Sequence, residues 1–95
     1  MKNSVLSPES IICRNPQAIF SQIDSQFVLM NLDIGNYYTL DDIGSRIWEL
    51  LEAPTTLSEL CRLLVNEYQI DEPTCNVDIS IFIKELISNH LVKIK

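Results

Sequence analysis

The hydrophobic periodicity of this chain changes once, near Asp41, and that change constrains the fold more than any other feature. Before Asp41, the segments 18–23, 27–32 and 36–40 are short runs rich in apolar, β-branched and aromatic residues, separated by turn-forming residues, which is the pattern of strands. After Asp41, apolar residues recur every three or four positions, which is the pattern of amphipathic helices. Runs of strands followed by runs of helices indicate an α+β domain with its helices on one side of an antiparallel sheet.

The three predicted strands form a meander, because only short turn segments separate them. Gly35 supplies the conformational freedom that closes the second turn. The last strand, 36–40, is predicted at an edge of the sheet, with backbone groups free to accept a strand from another chain. An edge covered by a helix or by the C-terminal segment is equally compatible with the pattern. Residues 11–14 are predicted as a short extra strand or an extended lead-in, which makes 1–17 a lead-in and 18–95 the domain.

Local signals at the helix ends predict three helices, over 41–53, 56–68 and 71–89 with their caps included. The second opens with the capping box Thr56-Leu57-Ser58-Glu59. Gly44 lies inside the first helix, where a glycine costs about 1 kcal/mol relative to alanine. We therefore expect this helix to approach the sheet closely at Gly44.

Two stripes of the third helix are predicted to face in different directions. The core stripe comprises Cys75, Ile79, Phe82, Ile83 and Leu86. The stripe on the opposite side comprises Val77, Ile81, Lys84 and Ser88. Isolated apolar residues on a surface are common, but beside an open strand edge the second stripe is a candidate groove wall. The predicted binding surface therefore combines that stripe with Asn36, Tyr37, Tyr38, Thr39 and Leu40.

Charge and composition argue against several classes of function. The net charge of −6 disfavours nucleic acid, because such a molecule repels phosphate backbones. The cysteines Cys13, Cys61 and Cys75 are widely spaced and His90 is the single histidine, so we expect reduced thiols, no metal and no cofactor. No nucleophile and base pair is recognisable, so we expect no enzymatic activity. No apolar segment suits a signal peptide or a membrane span, which predicts a cytoplasmic protein.

An ordered series of short segments carries a family resemblance: 27–32, 35–40, Gly44 with 47–51, 56–60, 68–71 and 78–86. Over about residues 18–92, the chain resembles the PqqD-like family of precursor-peptide recognition domains. The resemblance implies three strands and three helices in a winged-helix-like arrangement. It also implies that the leader of a ribosomally made precursor peptide adds as a strand along the third strand, against the third helix.

Within that family, the chain is most similar to the free-standing leader-binding proteins of lasso-peptide pathways. Those proteins work with a separate leader peptidase and an ATP-dependent cyclase, which are therefore the partners that the resemblance implies. One departure is Asn89-His90, where such domains often carry a glycine.

Two alternative functions remain compatible with the pattern. A winged-helix DNA-binding regulator shares the helix order, but Lys84 is the only basic side chain on the third helix, against Asp78 and Glu85. A structural subunit that buries the stripe of the third helix in a homodimer is the other alternative.

Overall fold

Three helices and two three-stranded antiparallel sheets make up residues 6–95, the part of the chain that the computed structural model describes. The predicted α+β class and the order of a meander followed by three helices are confirmed, and a second sheet is added. Residues 1–5 of the predicted lead-in lie outside the described residues. The elements are β1 Ile11–Arg14, β2 Ala18–Ile23, β3 Gln26–Asn31, β4 Tyr37–Thr39, α1 Asp42–Leu50, β5 Thr55–Thr56, α2 Leu57–Tyr68, α3 Glu72–Ser88 and β6 Val92–Ile94.

The meander is the sheet of order β2-β3-β4, and one of its faces covers the core. Phe20 of β2 pairs with Leu29 of β3, which pairs with Tyr38 of β4, so these three side chains share the inner face. The turn between β3 and β4 depends on the buried side chain of Asn31, whose Oδ1 accepts hydrogen bonds from the backbone N–H groups of the next loop residues. Gly35 follows in the left-handed region, with φ of 82°, as the turn prediction required.

The second sheet has β1 at its centre, between β5 and β6. Ile12 pairs with Thr55 on one side and with Ile94 on the other. The side chain of Ile12 is fully buried, so β1 contributes to the same core as the helices.

Arg14 links the two sheets through an aromatic stack. Its guanidinium lies 4.9 Å from the ring centre of Phe20 in β2 and 4.3 Å from that of Trp48 in α1. One terminal nitrogen also donates a 2.6 Å hydrogen bond to the carbonyl oxygen of Trp48. Trp48 itself is fully buried, so this stack fixes α1 beneath the junction between the sheets.

The helix ends follow the predicted capping signals. Thr56 Oγ1 accepts the N–H of Glu59 at 3.1 Å, and Asp71 Oδ2 accepts the N–H of Thr74 at 3.2 Å. The α2 helix ends at Tyr68, as predicted, and Gln69 follows in the left-handed region. Such caps satisfy the backbone donors that a helix N-terminus leaves unpaired.

Gly44 brings α1 close to α3 rather than to the sheet, which corrects the prediction. A Cβ atom at this position would lie 3.2 Å from Cζ of Phe82. The link between α1 and the sheet is made by the next residue, because Ser45 Oγ accepts the N–H of Phe27 at 2.9 Å.

The core stripe of α3 is confirmed at four of its five positions. Cys75, Ile79, Ile83 and Leu86 are buried in the common core. Phe82 is the exception, because it is only partly buried and packs at the border of the core. Its ring lies between Gly44 and the inner face of β4, which is where the candidate site begins.

Candidate functional site

Strand β4 has a free edge. It ends the sheet order β2-β3-β4, and within residues 6–95 no strand pairs with its other side. The C-terminal strand β6 pairs with β1 instead, so it does not cover β4. Of the two possibilities that the sequence left open for this strand, the described residues show the uncovered one.

The hydrogen bonds of β4 determine which residues face that edge. The carbonyl of Asn36 accepts from the N–H of Asn31 on β3, and the N–H of Leu40 donates to the carbonyl of Phe27, also on the β3 side. Inward and outward bonding alternates along an antiparallel strand. The backbone groups of Tyr37 and Thr39 therefore point away from β3, toward the free edge.

A cavity of about 420 Å³ opens beside this edge, between β4, α1 and α3. Buried apolar residues such as Leu40, Ile47 and Ile79 form its floor. Its volume exceeds by far the roughly 30 Å³ that one water molecule occupies, so it has room for side chains. The lining residues are Tyr38, Thr39, Leu40, Asp41, Ile43, Gly44, Ile47, Leu64, Ile70, Cys75, Asp78, Ile79, Phe82 and Glu85.

Two side-chain bridges connect β4 to α3 at one end of the cavity. The hydroxyl of Tyr38 donates a hydrogen bond to Glu85, and its ring packs edge-on against Phe82 with 6.4 Å between ring centres. Asn36 Nδ2 donates to Asn89 Oδ1 at 3.1 Å. These bridges set the spacing between the strand and the helix.

The electrostatic environment of the cavity is negative. Burial, the hydrogen bond to Glu85 and the charges of Glu85 and Asp41 together raise the pKa of Tyr38 to about 12. Tyr38 therefore stays a neutral hydrogen-bond donor at physiological pH.

The structure brings part of the predicted binding surface together. Tyr38, Thr39 and Leu40 line the cavity, and Asn36 forms a bridge beside it. Tyr37 lies on the outer face of the sheet and is 73% exposed. The α3 residues Val77, Ile81, Lys84 and Ser88 do not line the cavity, and all four are exposed.

Sequence reasoning missed the three α3 residues that line the mouth of the cavity. Asp78, Phe82 and Glu85 are spaced by four and three positions, so they share one side of the helix. Their spacing could have revealed them, because it places two acidic residues in line with an aromatic residue at the border of the core stripe. The predicted stripe borders this row, because Ile81 is the i+3 neighbour of Asp78 and the i−4 neighbour of Glu85.

The described residues contain no group of three or more His, Cys, Asp or Glu side chains that could hold a metal ion. All three cysteines are free, and burial, with a further contribution from Cys61, raises the pKa of Cys75 to about 11. Within residues 6–95, no helix combines the length and apolar character that crossing a bilayer requires.

Comparison of the chain with known protein families identifies the family to which it belongs. Residues 26–92 match the family model described as Coenzyme PQQ synthesis protein D (PqqD). The chain therefore belongs to the PqqD family, as the sequence resemblance implied. A search of curated proteins finds no match.

Two solved structures share the fold over most of the chain. The structure of TbiB1 in complex with the TbiA(beta) leader peptide is 33% identical, with a TM-score of 0.80, over 85% of this chain and 94% of that chain. The structure of lasso peptide synthetase B1 complexed with the leader peptide is 23% identical, with a TM-score of 0.74, over 86% of this chain and 96% of that chain. The predicted likeness to leader-binding proteins of lasso-peptide pathways is confirmed.

Proposed function

We propose that this protein binds the leader segment of a ribosomally synthesised precursor peptide by strand addition to β4, and delivers it to separate maturation enzymes, as in lasso-peptide biosynthesis. The observation that carries the proposal is the free edge of β4 beside the cavity. The similarity to TbiB1, whose structure holds a leader peptide, supports it.

The backbone of β4 provides general affinity for an extended segment. Tyr37 and Thr39 each present an N–H and a C=O to the free edge, so an added strand pairs with both residues. Each such hydrogen bond contributes about 0.5–1.5 kcal/mol net. Side chains of the added strand alternate between the two faces of the sheet, so every second one points toward the cavity.

Helix α3 provides the wall that selects those side chains. Phe82, Asp78 and Glu85 contact the side chains that enter the cavity. The stripe of Val77, Ile81, Lys84 and Ser88 borders that row and contacts the peptide further from the sheet. In this arrangement the α3 stripe predicted from the sequence forms the outer border of the groove. Asp78, Phe82 and Glu85, the cavity row, form its inner wall.

The leader peptidase and the cyclase are separate proteins in this proposal, and the chain itself is not catalytic. We expect the purified protein to leave a precursor peptide intact and to accelerate leader removal when the peptidase is added. Mass spectrometry of the peptide over time measures both effects. Cleavage by this chain alone, at a rate comparable to that with the peptidase, would overturn the non-catalytic assignment.

Proline substitution tests strand addition at a single backbone position. Proline lacks the N–H group and is tolerated on edge strands, so Thr39→Pro should leave the domain folded and weaken leader binding about tenfold or more, through the lost bond and the altered edge. Fluorescence polarisation measures binding with two labelled probes, the TbiA(beta) leader peptide and the leader peptide of the lasso peptide synthetase B1 complex.

Gln22→Pro is the matched control, because Gln22 lies on β2, the opposite edge of the same sheet. Leu32 donates to the carbonyl of Gln17, so by alternation the N–H of Gln22 points to solvent. This variant should fold and bind normally. A folded Thr39→Pro variant that binds both probes as well as Gln22→Pro does would rule out strand addition at β4.

A further inference from the structure

The cavity beside β4 combines aromatic rings with carboxylates. Asp41, Asp78 and Glu85 lie at its mouth, and the rings of Tyr38 and Phe82 form part of its wall. None of the described residues that line it is Lys, Arg or His. Lys84 precedes Glu85 in the sequence but points elsewhere on α3, because adjacent helical residues project about 100° apart.

The three carboxylates differ in what already binds them. Asp41 Oδ1 accepts the N–H of Gly44 at 2.8 Å, so it serves as the cap of α1. Glu85 accepts the hydroxyl of Tyr38 through one oxygen. Asp78 is exposed at the cavity and makes no ion pair with any residue from 6 to 95. The charge of Asp78 and the second oxygen of Glu85 are therefore available to a ligand.

Aromatic faces beside exposed carboxylates form an environment that suits a lysine or arginine side chain. Its aliphatic stem packs against apolar surface while its charged end stays near water. A cation near an aromatic ring is attracted to the ring face, and a guanidinium also pairs with carboxylates through two hydrogen bonds. An acidic side chain at the same place meets three negative charges and no basic side chain among the lining residues.

We propose that the groove between β4 and α3 selects leader segments that carry a lysine or arginine beside the apolar residue seated in the cavity, with Asp78 and Glu85 as the residues that determine this specificity. The inference rests on the proposed function, because it concerns the same site. It adds a charge requirement to a site whose floor is apolar.

Selection from random peptides displayed on phage tests the charge preference without knowledge of the natural precursor. Peptides that bind the wild-type protein should be enriched in Lys and Arg at a position close to an apolar residue. For one selected peptide, replacing that basic residue by Gln should weaken binding by about two- to fivefold, the usual range for an exposed ion pair. The difference should shrink at high salt, because counterions screen exposed charges.

Two double variants with the same change in net charge isolate the groove. Asp78→Asn with Glu85→Gln should abolish the enrichment of basic residues and the salt dependence, while the amide oxygen of the introduced glutamine still accepts the Tyr38 hydroxyl. Asp24→Asn with Glu52→Gln is the control, because both residues are exposed and lie outside the cavity. Asn suits the left-handed conformation of Asp24. This control should retain the enrichment.

The outcomes separate this inference from the proposed function. If selected peptides lack basic enrichment, or the control loses it as well, the charge requirement is wrong. If Thr39→Pro still abolishes peptide binding in that case, the proposal of strand addition to β4 stands. If Thr39→Pro has no effect on any selected peptide, strand addition and the inference that depends on it both fail.

Discussion

At the scale of single residues, His90 is where the backbone is strained. Its φ of 57° lies in the left-handed region that favours glycine. The N–H of Leu91 donates to the carbonyl of Leu86 at 2.9 Å, and that of His90 donates to Ile87 at 3.0 Å. This is the Schellman pattern that ends a helix. The left-handed φ of His90 gives a physical reason for the glycine that the family resemblance led us to expect at this position.

Replacing His90 by glycine should stabilise the protein. The left-handed conformation costs a residue with a Cβ atom about 1–2 kcal/mol, and glycine's greater freedom in the unfolded chain offsets part of the gain. The carbonyl of His90, which accepts from Asn15 at 2.9 Å and from Asn31 at 2.6 Å, is backbone and stays. We expect His90→Gly to raise the free energy of unfolding by about 0.5–1 kcal/mol, measured by urea denaturation. His90→Ala keeps the Cβ atom, and an equal gain there would contradict this explanation.

At the scale of elements, three consecutive residues of α3 point in three directions. Ile81 is 54% exposed, Phe82 lines the cavity, and Ile83 is fully buried. Helical periodicity predicted the buried and exposed faces, since both follow from residue spacing alone. It assigned Phe82 to the core, because the boundary between core and cavity depends on how closely α1 approaches α3 at Gly44. That approach is a non-local packing distance, which spacing within α3 does not determine.

Single substitutions at these three positions should separate effects on the stability of the domain from effects on leader binding. Ile83→Ala should cost about 2–5 kcal/mol of stability, because it empties a packed core position. Phe82→Ala should cost less than that, and remove an apolar contact worth about 1.5–3 kcal/mol from the groove, which weakens leader binding about 10- to 100-fold. Ile81→Asp should leave the melting temperature nearly unchanged and weaken binding over a similar range.

Thermal melts and fluorescence polarisation distinguish these effects in the same three proteins. Unfolding of Ile81→Asp would place that residue in the core, against the exposure seen here. Normal binding by a folded Ile81→Asp variant would remove the outer border from the groove and leave the cavity row as the contact surface. Normal binding by Phe82→Ala would contradict the cavity as the seat of the peptide.

At the scale of the whole molecule, the sheet that the sequence predicted is the one built from neighbouring segments. The meander joins strands separated by short turns, so strand-forming residues and turn residues were enough to predict it, and with it the edge position of β4. The second sheet joins Ile12 to Thr55 and to Ile94. Its strands span four, two and three residues and come from segments far apart in the sequence. The sequence offered 11–14 as a possible strand, but pairing between such distant segments leaves no local signal.

The central position of β1 predicts that two neighbouring isoleucines contribute very differently to the stability of the domain. Strand β1 lies between β5 and β6. The side chain of Ile12 is fully buried, whereas that of Ile11 is 43% exposed. Ile12→Ala should cost about 2–5 kcal/mol, a large share of the roughly 5–15 kcal/mol that stabilises a small domain. At about 4–8 °C per kcal/mol for a domain of this size, its melting temperature should fall by about 8–40 °C. Ile11→Ala removes the same atoms from a partly solvated position and should change stability by about 0.5 kcal/mol or less. Circular dichroism melts of the two variants make the comparison, and equal destabilisation would contradict the packing of β1 on the core through one face only.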